Sequence, residues 1–326
     1  IQPEIYLKIF NYNKKMQDKS DISLEDYKKY TNRIIIEVIP KYVLSPDCKF
    51  VNFIGDESLY HIYFNEDVKE QKRNIIDTYE IVTSIKIIID KNNKMKSLSG
   101  LFKSCKEIKK ISFKRFNRND ILDMSDMFTD CNSLIDLNIS KLKTGSVILM
   151  ENMFKGCSKL KKINLSNLKT DRVDNMKGMF EGCKKLEELN LSNLNTDKVD
   201  DTSEMFKGCS LLKKIYSLNL NNVKNMDEMF SECSSLKELD LSNIINNKVI
   251  YMNKMFYKCS SLEKLKMFKL KHKNFVFIEN IFYECKKLKE LNLSDFIIGK
   301  TYNLENVFYN CSSLINLDLS NFQEIS

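Results

Sequence analysis

The chain has 326 residues, of which 43% are hydrophobic, and 52 Lys+Arg against 44 Asp+Glu give a formal net charge of +8. The low content of 8 Gly and 3 Pro excludes a disordered or collagen-like chain. The two charge signs are interspersed without a basic stripe, so nucleic acid is not expected as a partner. No run of 18 apolar residues occurs, so no membrane span is expected, and no signal peptide is visible.

The N-terminal region differs from the rest of the chain because it carries no clear repeat. Residues 21–40 are predicted to form a helix that ends before Pro40. Leu59, Ile62 and Phe64 have the spacing of a candidate capping strand. We therefore assign residues 1–68 to an N-terminal region with a helix and capping strands, and residues 69–326 to a repeat array.

The first twelve residues, I-Q-P-E-I-Y-L-K-I-F-N-Y, are similar to the opening of an F-box. The matching residues are Pro3, Glu4, Ile5, Ile9 and Phe10. F-box proteins with leucine-rich repeats are substrate receptors, so this resemblance implies an alternative function as a cytoplasmic substrate adaptor of a ubiquitin ligase. The tryptophan that is usual in that motif is missing, since the chain contains none.

Nine of the ten cysteines recur at a fixed period. The spacing is 26 residues, except for 24 between Cys209 and Cys233, and a phenylalanine stands three residues before each cysteine. These cysteines are Cys105, Cys131, Cys157, Cys183, Cys209, Cys233, Cys259, Cys285 and Cys311. Val82, Ile85 and Ile87 resemble a degenerate first repeat. A period of this length indicates a stacked repeat architecture.

One repeat, residues 170–194, predicts a short helix followed by a strand. Its apolar residues from 173 to 180 have helical spacing, Thr170 is a suitable N-cap, and Gly182 lies where a left-handed C-terminal cap is expected. Leu189 and Leu191 then alternate as in a strand. Parallel strands linked by right-handed crossovers follow from this order.

The predicted fold is therefore an α/β leucine-rich-repeat solenoid of about 26 residues per repeat. It should have a parallel β-sheet on the concave face and short helices on the convex face. Burying the apolar side chains of one repeat does not offset the entropy of ordering it, so stacking is required. The last coil is not followed by a cap, so we expect a packing partner there or further chain.

The repeat string M-F-x-G-C-x-x-L-x-x-L-x-L-S-N-L-x-T-x-x-V-x-x-M resembles the BspA-like branch of leucine-rich repeats. The resemblance is strongest over residues 153–205 and extends over about residues 95–326. It implies a curved solenoid, and the family is often found on cell surfaces, where it acts by adhesion or protein contact. It supplies no catalytic residues and no cofactor.

The regular cysteines allow three interpretations. A zinc site needs four converging ligands, and one cysteine per coil with two histidines in the whole chain does not supply them. Disulfides are compatible with the spacing of stacked coils, but parallel Cβ vectors are poor for the bond. The remaining interpretation, a small buried hydrophobic residue at each turn, is favoured.

Three columns of side chains are predicted to face outward along the concave sheet. The first column alternates in charge: Lys110, Asp136, Lys162, Glu188, Lys214, Glu238, Lys264, Glu290 and Asn316. This order predicts neutralising cross-strand pairs and no strong field of one sign. The second column is rich in Asn and Asp, and the third is rich in Ser.

Two coils interrupt these polar columns. Tyr216 and Leu218 break the second and third columns in one coil, and Lys266 and Phe268 break them two coils later. Exposed aromatic and apolar side chains mark interaction sites, so these four residues are the predicted partner-binding patch. Drift of the repeat sequence is the alternative explanation.

The sequence favours a non-enzymatic scaffold that binds a protein partner through its concave face and exposed ends, as a surface adhesin or as a subunit of an assembly. No phosphate-binding loop, nucleophile elbow or metal motif is present. His61, between Tyr60 and Tyr63, is the sole suggestion of catalysis, and a structural role is the alternative. The predicted location is the cell surface or a secreted state, or the cytoplasm if the F-box-like opening is genuine.

Overall fold

A computed structural model describes residues 32–42, 48–92, 94–300 and 303–320. Within them the chain forms a β-solenoid whose N-terminal end is closed by a mostly antiparallel sheet. The strands before the regular coils are β1 Ile34–Pro40, β2 Cys48–Lys49, β3 Tyr60–Phe64, β4 Glu70–Gln71, β5 Ile75–Ile76, β6 Ile85–Ile89 and β7 Ile108–Phe116. The strands of the coils are β8 Asp136–Asn138, β9 Glu188–Asn190, β10 Lys214–Tyr216, β11 Glu238–Asp240, β12 Lys264–Lys266, β13 Leu270–Phe275, β14 Glu290–Asn292, β15 Phe296–Lys300 and β16 Asn316–Asp318.

The N-terminal sheet has the order β4-β3-β6-β1-β7-β8, and its strands are antiparallel up to the parallel pair of β7 and β8. The helix predicted over residues 21–40 is therefore wrong for residues 34–40. These β-branched residues are alternately buried, and they pair on both sides with β6 and β7. Residues 1–31, including the F-box-like opening, lie outside the described residues.

The prediction that Val82, Ile85 and Ile87 belong to a degenerate first coil is also wrong, because the strand there does not pair in parallel with a neighbouring coil. β3 and β6 are antiparallel neighbours, with Ile62 opposite Ile87, whereas coils of a solenoid pair in parallel. The regular coils begin near Ser97, where a ladder of parallel bridges starts and continues through eight successive turns. The bridged residues are Ser97, Asp123, Leu149, Asn175, Asp201, Asn225, Tyr251 and Phe277.

The predicted helices of the convex side are not formed. Within the described residues the single helical element is a 3-10 turn at Glu57–Leu59. In every coil from Gly100 to Asn310, the residue directly before the cysteine and the residue five before it have φ between 54° and 72°. Left-handed residues at this spacing interrupt α-helical hydrogen bonding. Gly182 is left-handed as predicted, but it ends a tight turn rather than a helix.

Backbone hydrogen bonds on the convex side instead join each coil to the next. Asp126, Phe128 and Asp130 donate their N–H groups to carbonyls of Glu151, Met153 and Lys155, at 2.9, 2.9 and 2.7 Å. Similarly, the Thr170 hydroxyl donates to the Asn195 carbonyl at 2.8 Å, so this residue links two coils and does not cap a helix. The turns are thus held along the solenoid axis.

The core consists of side-chain ladders that run along the axis. Phenylalanine rings from Phe102 to Phe308 stack in series with centroids 5.4–5.9 Å apart. The predicted burial of the cysteines is confirmed from Cys105 to Cys285, whereas Cys311 is partly exposed. Each thiol from Cys131 onward donates to the carbonyl of the phenylalanine 27 or 29 residues earlier, as Cys183 does to Phe154 at 3.2 Å.

No helix of the described ranges has the length and apolar character needed to cross a bilayer.

Candidate interaction surface

The first concave column is exposed as predicted, but it forms fewer direct ion pairs than its alternation suggests. Lys110 Nζ lies 2.8 Å from Asp136 Oδ2, and this is the one ion pair within the column among the described residues. The adjacent outward position contributes two others, Lys213 with Glu187 at 2.7 Å and Lys289 with Glu263 at 3.2 Å. Cations and anions therefore alternate along the first column, so this column has no field of one sign.

The second column has a structural role that its sequence did not reveal. In six coils an Asn or Asp side chain at this position accepts the backbone N–H of the serine two residues later. This bond is 2.9 Å between Asn190 Oδ1 and Ser192 N and 2.8 Å between Asn292 Oδ1 and Ser294 N. The same contact joins 138 to 140, 164 to 166, 240 to 242 and 318 to 320. These Asx turns end the strands, so the carboxamide oxygens are already engaged.

Tyr216 replaces this turn-forming residue in one coil. Its side chain is 44% exposed, while Leu218 is partly buried against the core. The residue between them, Ser217, has a φ of 59°. β10 and β11 also belong to separate sheets at this point, where the coil is two residues shorter. A local break in the sheet therefore coincides with an exposed aromatic ring.

Lys266 is exposed, but Phe268 is not. Lys266 Nζ contacts Asp240 Oδ2 at 2.8 Å, and this contact together with the Ser242 hydrogen bonds holds the pKa of Asp240 at about 2. Phe268 is fully buried and packs edge-on against Phe296 with ring centroids 5.8 Å apart. The prediction that Phe268 offers an exposed ring is therefore wrong, because the chain turns inward there into the additional parallel pair of β13 and β15.

The concave surface continues onto the N-terminal sheet, which the sequence did not predict. Glu37 of β1 lies opposite Ser112, the first residue of the second column, and it pairs with Lys114 at 2.8 Å. A cleft of about 740 Å³ lies on this face and is lined by Tyr63, Lys86 and neighbouring residues of β1, β3 and β6. The sequence of β1 gave no clear signal of this sheet, because it opens with three consecutive isoleucines.

His61 lies beside this cleft and is held between two carboxylates. Its Nδ1 is 2.9 Å from Glu70 Oε1, and its Nε2 is 3.3 Å from Asp90 Oδ2. Asp90 also contacts Arg33 Nε at 2.7 Å. Contacts with Lys72 and His61 lower the pKa of Glu70. Because carboxylates contact both ring nitrogens, His61 connects β3 to β4 and to Asp90, the residue directly after β6.

The described part of the chain shows no metal-binding group of side chains, and its buried ladder thiols are not activated. It contains no group of three or more His, Cys, Asp or Glu side chains arranged to hold a metal ion. Burial raises the pKa of each ladder thiol from Cys131 to Cys233 well above its ordinary value. Such thiols stay protonated and unreactive at neutral pH.

The fold and this surface define a β-solenoid whose exposed sheet face carries a column of alternating charges. The model of the family described as "Mycoplasma protein of unknown function, DUF285" matches residues 96–214, 183–296 and 247–325. These matches cover more than half of the chain, which therefore belongs to this family.

Among solved structures, the crystal structure of the TLR13-ssRNA13 complex is similar at 17% identity and a TM-score of 0.25. The match covers 62% of this chain and 35% of that chain, so the present chain spans well under two thirds of its length. Comparison with curated proteins finds no match.

Proposed function

We propose that the chain is a non-enzymatic scaffold that binds a protein partner through its concave face. The observation that carries this proposal is the exposed Tyr216 ring at the break between β10 and β11. Tyrosine is enriched at the centres of protein interfaces, because it combines a large apolar ring with a polar hydroxyl. The Asn and Asp side chains of the second column instead end the strands, as Asn190 does through Ser192.

Lys266 and Leu218 belong to the same proposed contact. Lys266 is paired with Asp240. An acidic group of a partner can therefore compete with Asp240 for the lysine, and a basic group can compete with Lys266 for the aspartate. Leu218 adds a partly exposed apolar surface beside Tyr216. A mixed patch of this kind suits a protein surface better than a phosphate backbone, which requires a positive field. The binding of nucleic acid is therefore not part of the proposal.

The resemblance to BspA-like repeats supports a place on the cell surface, where the scaffold would act in adhesion or as a subunit of a larger assembly. Treatment of intact cells with protease tests this placement. Loss of the protein under conditions that spare a cytoplasmic marker is the expected result, and its full protection would refute it.

Affinity purification from the native source tests the scaffold. The wild-type chain should retain a protein that Tyr216→Ser and Lys266→Ser lose. Tyr251→Ser is a matched control, because Tyr251 is 41% exposed but lies outside the concave columns. Circular dichroism should show that all three variants are folded. Retention that is equal in wild type and Tyr216→Ser would eliminate the patch, and a wild-type chain that retains no protein would eliminate the scaffold.

The same purification distinguishes the F-box-like alternative. A ubiquitin-ligase adaptor should bring down a Skp-type protein, and this recovery should depend on residues 1–31 but not on Tyr216.

A further inference from the structure

The convex surface changes in character along the solenoid. The residue two positions before each cysteine is polar in the first six coils and tyrosine in the last three. In chain order this row contains Lys103, Thr129, Lys155, Glu181, Lys207, Ser231, Tyr257, Tyr283 and Tyr309. The three tyrosines together are called the tyrosine ridge below.

The tyrosine ridge is a stacked array. Tyr257 and Tyr283 have ring centroids 4.9 Å apart with an interplanar angle of 20°, and Tyr283 and Tyr309 have centroids 4.7 Å apart with an angle of 13°. Tyr257 and Tyr283 are partly exposed, and Tyr309 is 54% exposed. Because the rings stack face to face, the ridge presents ring edges and hydroxyl groups to its surroundings.

The fold does not require aromatic residues in this row. In the third and fourth coils of the array, the same positions are occupied by Lys155 and Glu181, whose charged groups are 2.7 Å apart. A polar pair therefore satisfies the cross-coil contact while keeping the surface hydrophilic. Three tyrosines in place of such pairs, two of them partly exposed and one exposed, leave a continuous aromatic surface, and aromatic residues are enriched at interface centres.

Charged residues beside the ridge indicate which partner fits it. The next position in each coil contains Glu232, Lys258, Glu284 and Asn310. Lys258 Nζ lies 5.0 Å from the centroid of the Tyr257 ring, so this cation is directly beside the ridge. Alternation of charge along a row makes the row complementary to itself when a second copy runs in the opposite direction.

We propose that the tyrosine ridge is a self-association surface, through which two copies of the chain form a dimer about a two-fold axis between the coils of Tyr257 and Tyr283. This axis places Lys258 opposite Glu284 of the second copy, and the reverse pair forms by symmetry. It also places Tyr257 opposite Tyr283 and the prominent Tyr309 opposite the small Ser231. The two concave faces then point away from each other.

Sedimentation equilibrium and light scattering of the purified chain over a wide concentration range test the dimer. We expect a reversible dimer in the wild type and a monomer in the Tyr257→Ser/Tyr283→Ser double variant. The reversal Lys258→Glu should raise the dimer dissociation constant more than about tenfold, since like charges then face each other across the axis. The double reversal Lys258→Glu/Glu284→Lys should return the constant towards the wild-type value.

Two controls separate self-association from folding and from general charge effects. The double reversal Lys155→Glu/Glu181→Lys, in the same row but away from the axis, should leave the dissociation constant unchanged. Urea unfolding should show that every variant is folded under the assay conditions. A wild-type chain that is monomeric throughout would overturn the proposal, as would a dimer that survives serine substitution of the ridge or a double reversal that fails to restore association.

Discussion

Replacing Phe180 by alanine would remove one ring from the middle of the phenylalanine ladder. The ring is fully buried, and its centroid lies 5.4 Å from that of Phe154 and 5.9 Å from that of Phe206. A buried phenylalanine truncated to alanine costs about 3–5 kcal/mol, because both transfer free energy and a cavity contribute. The free energy of unfolding should fall by this amount. Since each coil contacts only its neighbours, the loss should concentrate in the adjoining coils.

Phe308→Ala is the matched comparison within the same ladder. Its ring is partly exposed and stacks on Phe282 at 5.7 Å, so we expect a loss of about 1–2 kcal/mol. Urea unfolding followed by circular dichroism gives the two free energies, and native-state hydrogen exchange locates the weakened coils. Equal losses for the two variants, or uniform loss of amide protection after Phe180→Ala, would refute the reasoning about a locally coupled ladder.

Three further outcomes follow from single residues. Maleimide should modify the partly exposed Cys311 before the buried Cys183 in the native chain, and mass spectrometry should find both modified in urea. Burial raises the pKa of Asp227 from 3.8 to about 6, so its stabilising contribution is present below about pH 4 and is lost as the pH rises through about 6. Asp227→Asn should remove this pH dependence. Since the side chain is partly solvated, the substitution should raise the free energy of unfolding near pH 7 by about 1 kcal/mol, as measured in urea titrations. A wild-type free energy of unfolding that does not change between pH 4 and pH 7 would contradict this expectation. Lys254 has a φ of 55°, so Lys254→Gly should stabilise the chain by about 0.5 kcal/mol. Gly178→Ala should destabilise the chain by about 1–2 kcal/mol, because its Cβ would clash with Asn152 Oδ1 at a left-handed backbone position. Urea midpoints that shift in the opposite directions would contradict both expectations.

The repeat period and the buried cysteines could be predicted because stacking forces equivalent residues into one environment in every coil. The absence of helices on the convex side could not be predicted. Apolar residues at positions such as 176, 179 and 180 have helical spacing, but the same spacing places residues inside two successive tight turns. The difference lies in the left-handed backbone of residues such as Glu228 and Glu232, which their side chains do not signal.

The N-terminal sheet was predicted in part, since β3 coincides with the candidate capping strand of Leu59, Ile62 and Phe64, but β1 was missed for a different reason. Ile34–Pro40 contains three consecutive isoleucines, so alternation is not visible in the sequence, although alternate residues are buried in the sheet. Its partners, β6 and β7, are distant in sequence, and antiparallel pairing between them cannot be inferred from a repeat pattern. Phe268 failed similarly, since its burial depends on the additional β13–β15 pair that the regular repeat does not contain.

The departures from the repeat now separate into two groups with different physical origins. Asn190 and its equivalents form Asx turns, so a residue that replaces them changes the end of a strand and not merely the surface. Tyr216 therefore marks both a structural break and an exposed ring on the concave face. The tyrosine ridge instead replaces polar residues without altering the turns beneath it, because Lys258 and Glu284 keep the same left-handed backbone as Gly182. The concave patch can consequently be removed without affecting the ridge, and a chain that loses its partner through Tyr216→Ser should still form the dimer.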